Sequence, residues 1–355
     1  MTPRFSMYLD VVRFLAALVV FLGHASGRNW TGGLLWQTGL YGDTCVMIFF
    51  VLSGFVIAYV AEVKERTWQP YAASRAARLW SVAIPALALT LVIDLVGVQA
   101  APHLYIGQPW YLGDKLPLRY IATFFMLQEV WHAELTPGIN IPFWSLGFEA
   151  FYYLLFGVLL FAKGRARWGA VLVASLIAGP MIMVMFPVWL LGVLAYRWCK
   201  GGGVSPFASL LLFGLGLAVL ACSPLIRSTL PQAPEMLSKA LIGRYVDALA
   251  FFANLVGAYG LMRSSDAYLP AVRKFATIIA ATTFPLYLFH RPLLQFFSYA
   301  GPEDASSWQR RVLVIAGTLA VVFVATPMCD RFKRFLYRET MNRIGGASAV
   351  SVARH

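Results

Sequence analysis

Charged residues are scarce in this chain of 355 residues: they make up 13% of it, whereas hydrophobic residues make up 59%. The mean hydropathy is +0.68. A soluble domain of this length does not need so much apolar surface, so the composition excludes that class and indicates a polytopic membrane protein. We expect no cleavable signal peptide, because the first apolar run contains charged residues and has no small-residue cleavage site.

Cysteine is also rare. The chain has four cysteines, and they lie in or beside apolar segments: Cys45, Cys199, Cys222 and Cys329. Their spacing matches neither a disulfide framework nor a zinc site. We therefore expect no bound metal ion.

Acidic residues are fewer than basic ones, 16 against 29, and the formal net charge is +13. In membrane proteins Lys and Arg collect in cytoplasmic loops and tails, which explains this excess better than nucleic-acid binding does. The stretch "DRFKRFLYRETMNR", residues 330–343, has the composition of such a segment. The sequence therefore predicts a basic cytoplasmic tail over 331–355 and no nucleic-acid partner.

Apolar runs of bilayer-crossing length, roughly 17 to 25 residues, recur along the chain and predict an all-α transmembrane helix bundle. The ten predicted spans are 8–26, 41–60, 79–98, 146–162, 169–186, 187–199, 205–222, 246–262, 275–298 and 311–328. An eleventh run, at 120–131, is too short to cross and is predicted to be re-entrant or on the surface. Prolines interrupt the run at 169–199, which fits either a helical hairpin or one kinked helix.

Basic residues orient this bundle. With an inside amino terminus and ten crossings, 19 of the 29 Lys and Arg residues fall in inside loops or in the tail. If the run at 120–131 crossed, "AKGRARW" at 162–168 would move outside and every later loop would invert. We predict about ten membrane-spanning helices, both termini cytoplasmic, and one transmembrane domain over residues 1–330.

Two ionisable residues, Arg13 and His24, stand eleven positions apart in the first apolar run. They share one helix face and lie about 16 Å apart along the axis. Ionisable groups inside a bilayer are costly and usually mark a functional site or a buried pair, so this face suits a cavity wall better than a lipid-facing surface. The alternatives are that Arg13 snorkels or pairs with Asp10, and that His24 is an interfacial histidine.

A second group of polar residues lies at 144–153. Trp144 and Ser145 open the predicted helix, Glu149 follows one turn later, and Tyr152 lies on the next turn. The predicted topology places Glu149 at the depth of His24, where a His–Glu pair would make the imidazole a stronger general base. The alternative is a structural ion pair between Glu149 and a buried arginine.

Two further motifs carry ionisable groups. Tyr287 and His290 share a face near the outer end of their predicted helix, where an interfacial anchor is the alternative. Arg75 and Arg78 stand one turn apart just before a predicted helix on the cytoplasmic side. Two guanidiniums on one face can grip phosphates bidentately, although the positive-inside rule alone would also place them there.

Taken together, these motifs resemble the acyltransferase-3 family of integral membrane O-acyltransferases. Five pieces agree with the family in order and spacing along nearly the whole chain: "LDVVRFLAALVVFLGH" at 9–24, "MIFFVLSGFVIAY" at 47–59, "SRAARLWSVAIP" at 74–85, "PFWSLGFEAFYYLLF" at 142–156 and "FPLYLFHRPLL" at 284–294. The predicted number of ten helices also agrees with the family's usual architecture.

The resemblance implies transfer of an acyl group, usually acetyl, from cytoplasmic acyl-CoA to a hydroxyl of an extracytoplasmic glycan or a related small molecule. It makes His24 the essential histidine and Arg13 its partner, and it places Glu149 at the acidic position of the Trp-Ser-Leu motif. Arg75 and Arg78 fall at the paired arginines associated with the donor. We expect His24 either to deprotonate the acceptor or to be transiently acylated itself.

The resemblance also implies a multi-pass protein of the inner (plasma) membrane with no permanently bound cofactor and acyl-CoA as donor substrate. The residues expected to line the site or meet the acceptor are Ser53, Trp144, Ser145, Tyr152, Tyr287 and His290. A polytopic transporter or flippase for a glycan or small molecule is the competing function, because buried charges and proline-interrupted helices are equally natural there.

Reporter fusions at Lys163 and Lys239 test the predicted topology. We expect a reporter at Lys163 to be active only as a cytoplasmic fusion and one at Lys239 only as an external fusion, because basic flanks stay on the cytoplasmic side. An external Lys163 would contradict the ten-crossing arrangement.

Overall fold

The computed structural model describes residues 1–234, 238–263 and 270–344, and in the last range it describes side chains from residue 273 onward. Within these ranges the chain is helical and has no β-strand; an isolated bridge pairs Leu112 with Gly138. The predicted all-α fold is confirmed.

Thirteen α-helices make up the described part of the chain. They are α1 (Pro3–Ala25), α2 (Arg28–Thr31), α3 (Gly42–Val63), α4 (Trp68–Ala100), α5 (Leu116–Phe124), α6 (Trp144–Phe161), α7 (Gly164–Ala178), α8 (Pro180–Lys200), α9 (Pro206–Ala221), α10 (Ser223–Thr229), α11 (Leu241–Met262), α12 (Pro270–Ala300) and α13 (Trp308–Ile344). A 3₁₀ helix, Trp36–Tyr41, leads directly into α3.

Among the described residues, seven helices are long and apolar enough to cross a membrane: α1, α3, α4, α6, α8, α11 and α13. Helices α9 and α10 meet at a 67° bend and together could form an eighth crossing. These helices make the chain a multi-pass membrane protein, as its composition predicted. The predicted number of ten crossings is larger than these seven or eight, and it stays a prediction.

The run at 169–199 is divided at Gly179, so the alternative of one kinked helix is wrong. Gly179 has a φ of +83°, a conformation that residues with a side chain rarely adopt. Helix α8 begins at Pro180 and continues through Pro187, which was predicted to begin a helix of its own. Helix α7 has only 15 residues, which is short for a bilayer crossing.

Two other predicted boundaries change. Helix α4 begins at Trp68 instead of residue 79, so Arg75 and Arg78 lie inside a helix and not before one. Helix α13 runs to Ile344, through the predicted start of the tail at 331, and residues 345–355 lie outside the described part. The segment 120–131 contains the end of α5 and a short 3₁₀ turn, and neither is long enough to cross.

The described residues form two compact units, each assembled from separate stretches of the chain. The first unit comprises Met1–Tyr59, Pro180–Tyr287 and Gly301–Ile315. The second comprises Val60–Gly179, Leu288–Ala300 and the residues from Ala316 onward. Helices α12 and α13 therefore contribute residues to both units.

In the first unit, α11 packs against α9 through glycines that let the two backbones approach closely. A Cβ added to Gly216 would meet the backbone O of Ala250 at 2.5 Å, and one added to Gly257 would meet the backbone N of Phe213 at 2.4 Å. Small residues serve the same purpose at helix crossings in other membrane proteins. The glycines therefore fix how α9 and α11 pack.

Partly buried ion pairs join α3, α10 and α11 in the same unit. Arg227 lies 2.9 Å from Asp43 and 2.8 Å from Asp247, and Arg244 lies 3.1 Å from Asp43. The hydroxyl of Thr44 donates to Asp247 at 2.9 Å. Two cations and two anions balance here, which offsets the cost of placing charge in membrane-spanning helices.

Substituting glycines on α9 tests the close crossing. Gly216→Val is expected to destabilise the protein by about 1–3 kcal/mol, because overpacking a tight contact forces backbone shifts. Thermal unfolding of the detergent-solubilised protein measures the loss. Gly214→Val is the matched control, because a Cβ at Gly214 meets no atom within 4 Å. Equal unfolding temperatures for the two variants would contradict the close approach.

Candidate functional site

Helix α1, in the first unit, carries Arg13 and His24. Thr2 caps the helix, its side chain accepting a hydrogen bond from the backbone N–H of Phe5. Arg13 lies 3.7 Å from Asp10, three residues earlier, so the Arg13–Asp10 pair weighed as an alternative is present. His24 lies in the last turn of the helix. Their shared helix face, about 16 Å in extent along the axis, is therefore retained in the structure.

Two predicted lining residues, Ser53 and Tyr287, also belong to the first unit. Tyr287 is 7% exposed, and its ring packs edge-on against Phe49, with the ring centroids 5.7 Å apart. Ser53 lies one turn after Phe49 on α3. The first unit thus contains His24, Arg13, Ser53 and Tyr287, and the second contains the other predicted site residues.

Helix α4 places Arg75 in a buried aromatic environment of the second unit. The guanidinium donates to Oε2 of Glu65 at 2.5 Å and lies 5.2 Å from the ring centroid of Tyr71 and 5.7 Å from that of Tyr153. The hydroxyl of Tyr71 donates to the backbone O of Tyr153 at 2.9 Å, which joins α4 to α6. The Nε of Arg75 is buried and has no hydrogen-bond partner among the described residues.

Arg78, one turn along α4, contacts the same tyrosine. It donates to the hydroxyl of Tyr153 and interacts electrostatically with Glu149. The Tyr153 hydroxyl donates in turn to Oε1 of Glu149. Arg75, Arg78, Tyr153, Glu149 and Glu65 therefore form one connected group, here called the arginine–tyrosine cluster.

The cluster changes the predicted arrangement of the site. Glu149 and the arginine pair were predicted at opposite ends of the bundle, but Glu149 and Arg78 share Tyr153 as a partner. Glu149 thus has the buried arginine neighbour that the alternative interpretation required. The predicted pair of His24 with Glu149 joins residues of the two units and stays a prediction.

The cluster is nearly neutral, because Arg75 and Arg78 are balanced by Glu65 and Glu149. The carboxylate of Glu65 already accepts a hydrogen bond from one terminal nitrogen of Arg75, so a phosphate group that used this nitrogen would have to displace or rearrange Glu65. The unpartnered Nε is a donor of Arg75 that needs no such exchange. Arg75 is thus held in place before any ligand binds.

The predicted residues at the start of α6 are mostly packing residues. Tyr152 is fully buried and its ring contacts Phe148, whose ring in turn meets Trp144 edge-on at 5.3 Å between centroids. Ser145 is buried and its hydroxyl points to the backbone O of Pro142 at 3.4 Å. These contacts fix the first two turns of the helix that carries Glu149.

The segment before α6 is held by polar residues that the sequence analysis missed. The backbone N–H of Ile139 donates to Oδ2 of Asp94 at 3.1 Å. The side-chain amide of Asn140 donates to Oγ1 of Thr90 at 2.9 Å and to the backbone O of Leu288 at 2.8 Å. Asp94 was detectable, because it is an acidic residue inside the apolar run "ALTLVIDLVGV".

His290 and Arg291 lie beside this segment in the second unit. His290 is fully buried, and Arg291 is 4% exposed. The Nε of Arg291 lies 3.5 Å from the backbone O of Ile139, and its charge interacts with Asp94. Their complete burial favours a structural or site-lining position over the interfacial anchor weighed from the sequence.

The loop that leads to this segment is fixed by Arg119. Its guanidinium donates to the carboxylate of Asp114 at 2.7 Å and to the backbone O of Glu134 at 2.7 Å. The hydrogen bond from Arg119 holds the pKa of the exposed Asp114 carboxyl below its usual value. Arg119 thereby ties the two ends of the 114–134 segment together.

Removing Glu65 tests whether the arginine–tyrosine cluster is held by charge. Glu65→Ala leaves the buried Arg75 without its anion and is expected to cost about 3–5 kcal/mol of stability. Thermal unfolding of the detergent-solubilised protein measures this loss of stability. Glu62→Ala is the control, because Glu62 is exposed.

A double variant separates charge from packing. Glu65→Leu with Arg75→Met removes both ions and is expected to recover most of the stability lost in Glu65→Ala. A double variant as unstable as the single one would show that the ion pair is not what holds the cluster.

The sequence of this chain is similar to those of known acyltransferases over most of its length. Residues 7–329 match the sequence model of the acyltransferase-3 family, described as "Acyltransferase domain". The match includes every predicted site residue.

One curated relative is acyltransferase MdmB of Streptomyces mycarofaciens, which is 29% identical over 195 residues. The aligned region covers 50% of this chain and 47% of the relative, so the chain spans about half the length of the curated relative it matches. No solved structure gives a significant match.

Proposed function

The chain belongs to the acyltransferase-3 family, and on that premise we propose that it is a membrane acyltransferase acting on a hydroxyl group. The observation that carries the proposal is the arginine–tyrosine cluster, in which two arginines, a tyrosine and a glutamate meet within the matched region. The donor is acyl-CoA, with acetyl as the expected acyl group, and the acceptor is an extracytoplasmic or membrane-associated glycan. The protein holds no permanent cofactor.

Arg75 and Arg78 bind the donor in this proposal. A guanidinium recognises phosphate through paired N–H groups, and Arg75 keeps one buried N–H available. A phosphate contact through the terminal nitrogen that Glu65 holds requires exchange with that carboxylate. Such an exchange makes donor binding dependent on a local rearrangement, and it keeps the arginine paired while the site is empty.

Glu149 positions the donor-binding residues. Its carboxylate accepts a hydrogen bond from the Tyr153 hydroxyl and interacts electrostatically with Arg78, so its charge holds the tyrosine and the second arginine together. The predicted pairing of Glu149 with His24 would add a second role for the same carboxylate. Tyr152, Trp144, Ser145, Ser53, Tyr287 and His290 line the acceptor path in this proposal.

His24 is the general base. It takes the proton from the acceptor hydroxyl as the acceptor oxygen bonds to the acyl carbon and the carbon–sulfur bond breaks. The proton then passes to the leaving thiolate, so the products are the acylated acceptor and free CoA. Arg13, paired with Asp10, orients the first helix or the donor phosphates.

We also propose the topology that this chemistry needs. Ten crossings with both termini cytoplasmic place the amino terminus beside cytoplasmic acyl-CoA, and the plasma membrane gives access to an extracytoplasmic acceptor. The basic residues of the inside loops support this orientation.

Replacing His24 tests the function. In His24→Ala, transfer is expected to fall by about 10²–10⁴-fold, the usual contribution of a general base. Release of CoA by protein in nanodiscs supplied with acetyl-CoA, and O-acetyl signals in NMR spectra of surface glycans, measure the loss.

His103→Ala is the matched control, because His103 is exposed in the loop after α4. Unchanged unfolding temperatures must accompany the loss of activity in His24→Ala. Near-wild-type transfer by His24→Ala would overturn the proposed role, and substrate counterflow without acyl-CoA would favour the transporter instead.

A further inference from the structure

The first unit contains a cavity of about 480 Å³ within its membrane-spanning helices. We call it the apolar slot. Its walls come from α1, α3, α9 and α11, and representative lining residues are Tyr8, Val12, Val19, Ile48, Leu217 and Phe251. The volume falls within the roughly 300–1,000 Å³ of ordinary ligand pockets.

The slot is long. One end lies at Tyr8, and the other lies at the 3₁₀ helix Trp36–Tyr41, where Gly39 packs against Gly23 of α1. Fifteen helical residues separate these levels, which corresponds to a length of about 22 Å. An extended hydrocarbon chain fits along a groove of this length.

Most polar side chains on the wall already form hydrogen bonds within the protein. At one end, the Tyr8 hydroxyl donates to Asn254, and the Asn254 amide donates to the backbone O of Phe213 at 3.0 Å. At the other end, the Tyr41 hydroxyl donates to the backbone O of Ala221 at 2.7 Å. With these groups engaged, the wall presents carbon and offers little to a sugar or a phosphate.

One side of the slot is open. Leu217 lines it and is nevertheless 54% exposed. Other exposed apolar residues of α9, among them Leu211 and Leu215, indicate that this helix faces lipid. A chain can therefore enter sideways from the bilayer without crossing a polar surface.

From this geometry we infer that the apolar slot binds one fatty-acyl chain of a membrane phospholipid. The carbon lining selects hydrocarbon, the length accommodates an extended chain, and the lateral opening leads to lipid. The slot is separate from the proposed function, because its lining contains no charged residue to bind the phosphates of acyl-CoA and is almost entirely apolar.

The bound acyl chain would pack against α1 from Tyr8 to Val19. Tyr8, Val12 and Val19 lie on one face of α1, and Arg13 and His24 lie on another, about 130° away at 100° per residue. A filled slot therefore packs the side of α1 opposite to its ionisable residues. An empty slot would leave those apolar side chains with fewer contacts on this face.

Photolabelling tests the inference. The full-length protein is placed in nanodiscs of phosphatidylcholine that include a phosphatidylcholine carrying a diazirine in one acyl chain. After irradiation, mass spectrometry of peptides is expected to locate label on residues of α1 and α9 that line the slot. Leu217→Trp, which fills the slot, is expected to lower this labelling about tenfold, as a loss of about 1.4 kcal/mol in binding would.

Leu215→Trp is the matched control. Leu215 has the same side chain on the same helix, is 57% exposed, and is not among the residues that line the slot. It is expected to keep wild-type labelling. Equal labelling in the two variants, label spread evenly over all lipid-facing helices, or loss of a dimer instead of lipid in Leu217→Trp would overturn the inference.

Discussion

The need to match charge inside a membrane determines much of this structure. An isolated ion in the hydrocarbon region is too costly to keep, so each buried arginine requires an anion or an aromatic face nearby. In the first unit Arg227 and Arg244 share Asp43, and Arg227 also meets Asp247. In the second unit Arg75 meets Glu65 and two tyrosine rings. Both groups join helices that are far apart in sequence.

Neutrality of the arginine–tyrosine cluster has a consequence for ligand binding. A preformed patch of unpaired arginines would attract any anion, whereas in a paired cluster a ligand must compete with the internal anion. In the proposed donor complex, any cost of separating Arg75 from Glu65 would be subtracted from the binding free energy of the donor. Selectivity then depends on how well the ligand replaces both the charge and the geometry of the carboxylate.

Local sequence patterns predicted the helices well and their ends poorly. Apolar runs identify α1, α3, α6 and α11 because length and hydropathy are local properties. The break at Gly179 was misplaced because proline was taken as the stronger signal. Proline at the first position of a helix costs little, and a proline inside a membrane helix is tolerated. Glycine with a positive φ was the decisive residue.

Among the site residues, too, contacts within one helix were predicted and contacts between helices were not. The Arg13–Asp10 pair was foreseen as an alternative because it joins positions three apart on one helix. The neighbours of Glu149 were not foreseen, since Arg78 approaches from another helix and its depth depends on where α4 begins. Eleven more residues at the start of α4 place both arginines inside the helix. Glu65 could not have been assigned to Arg75 by spacing, because a turn of the chain separates them.

Helix α1 carries ionisable residues on one face and apolar residues on another. Its ionisable face carries Arg13 and His24, and its opposite face forms a wall of the apolar slot. A helix with a polar stripe cannot bury its whole surface against apolar neighbours, so its position depends on whatever packs the remaining face. A lipid chain is a suitable support because it adapts to an irregular apolar surface and requires no hydrogen bonds. The bilayer would then act both as the solvent of the fold and as a structural part of the helix that carries His24.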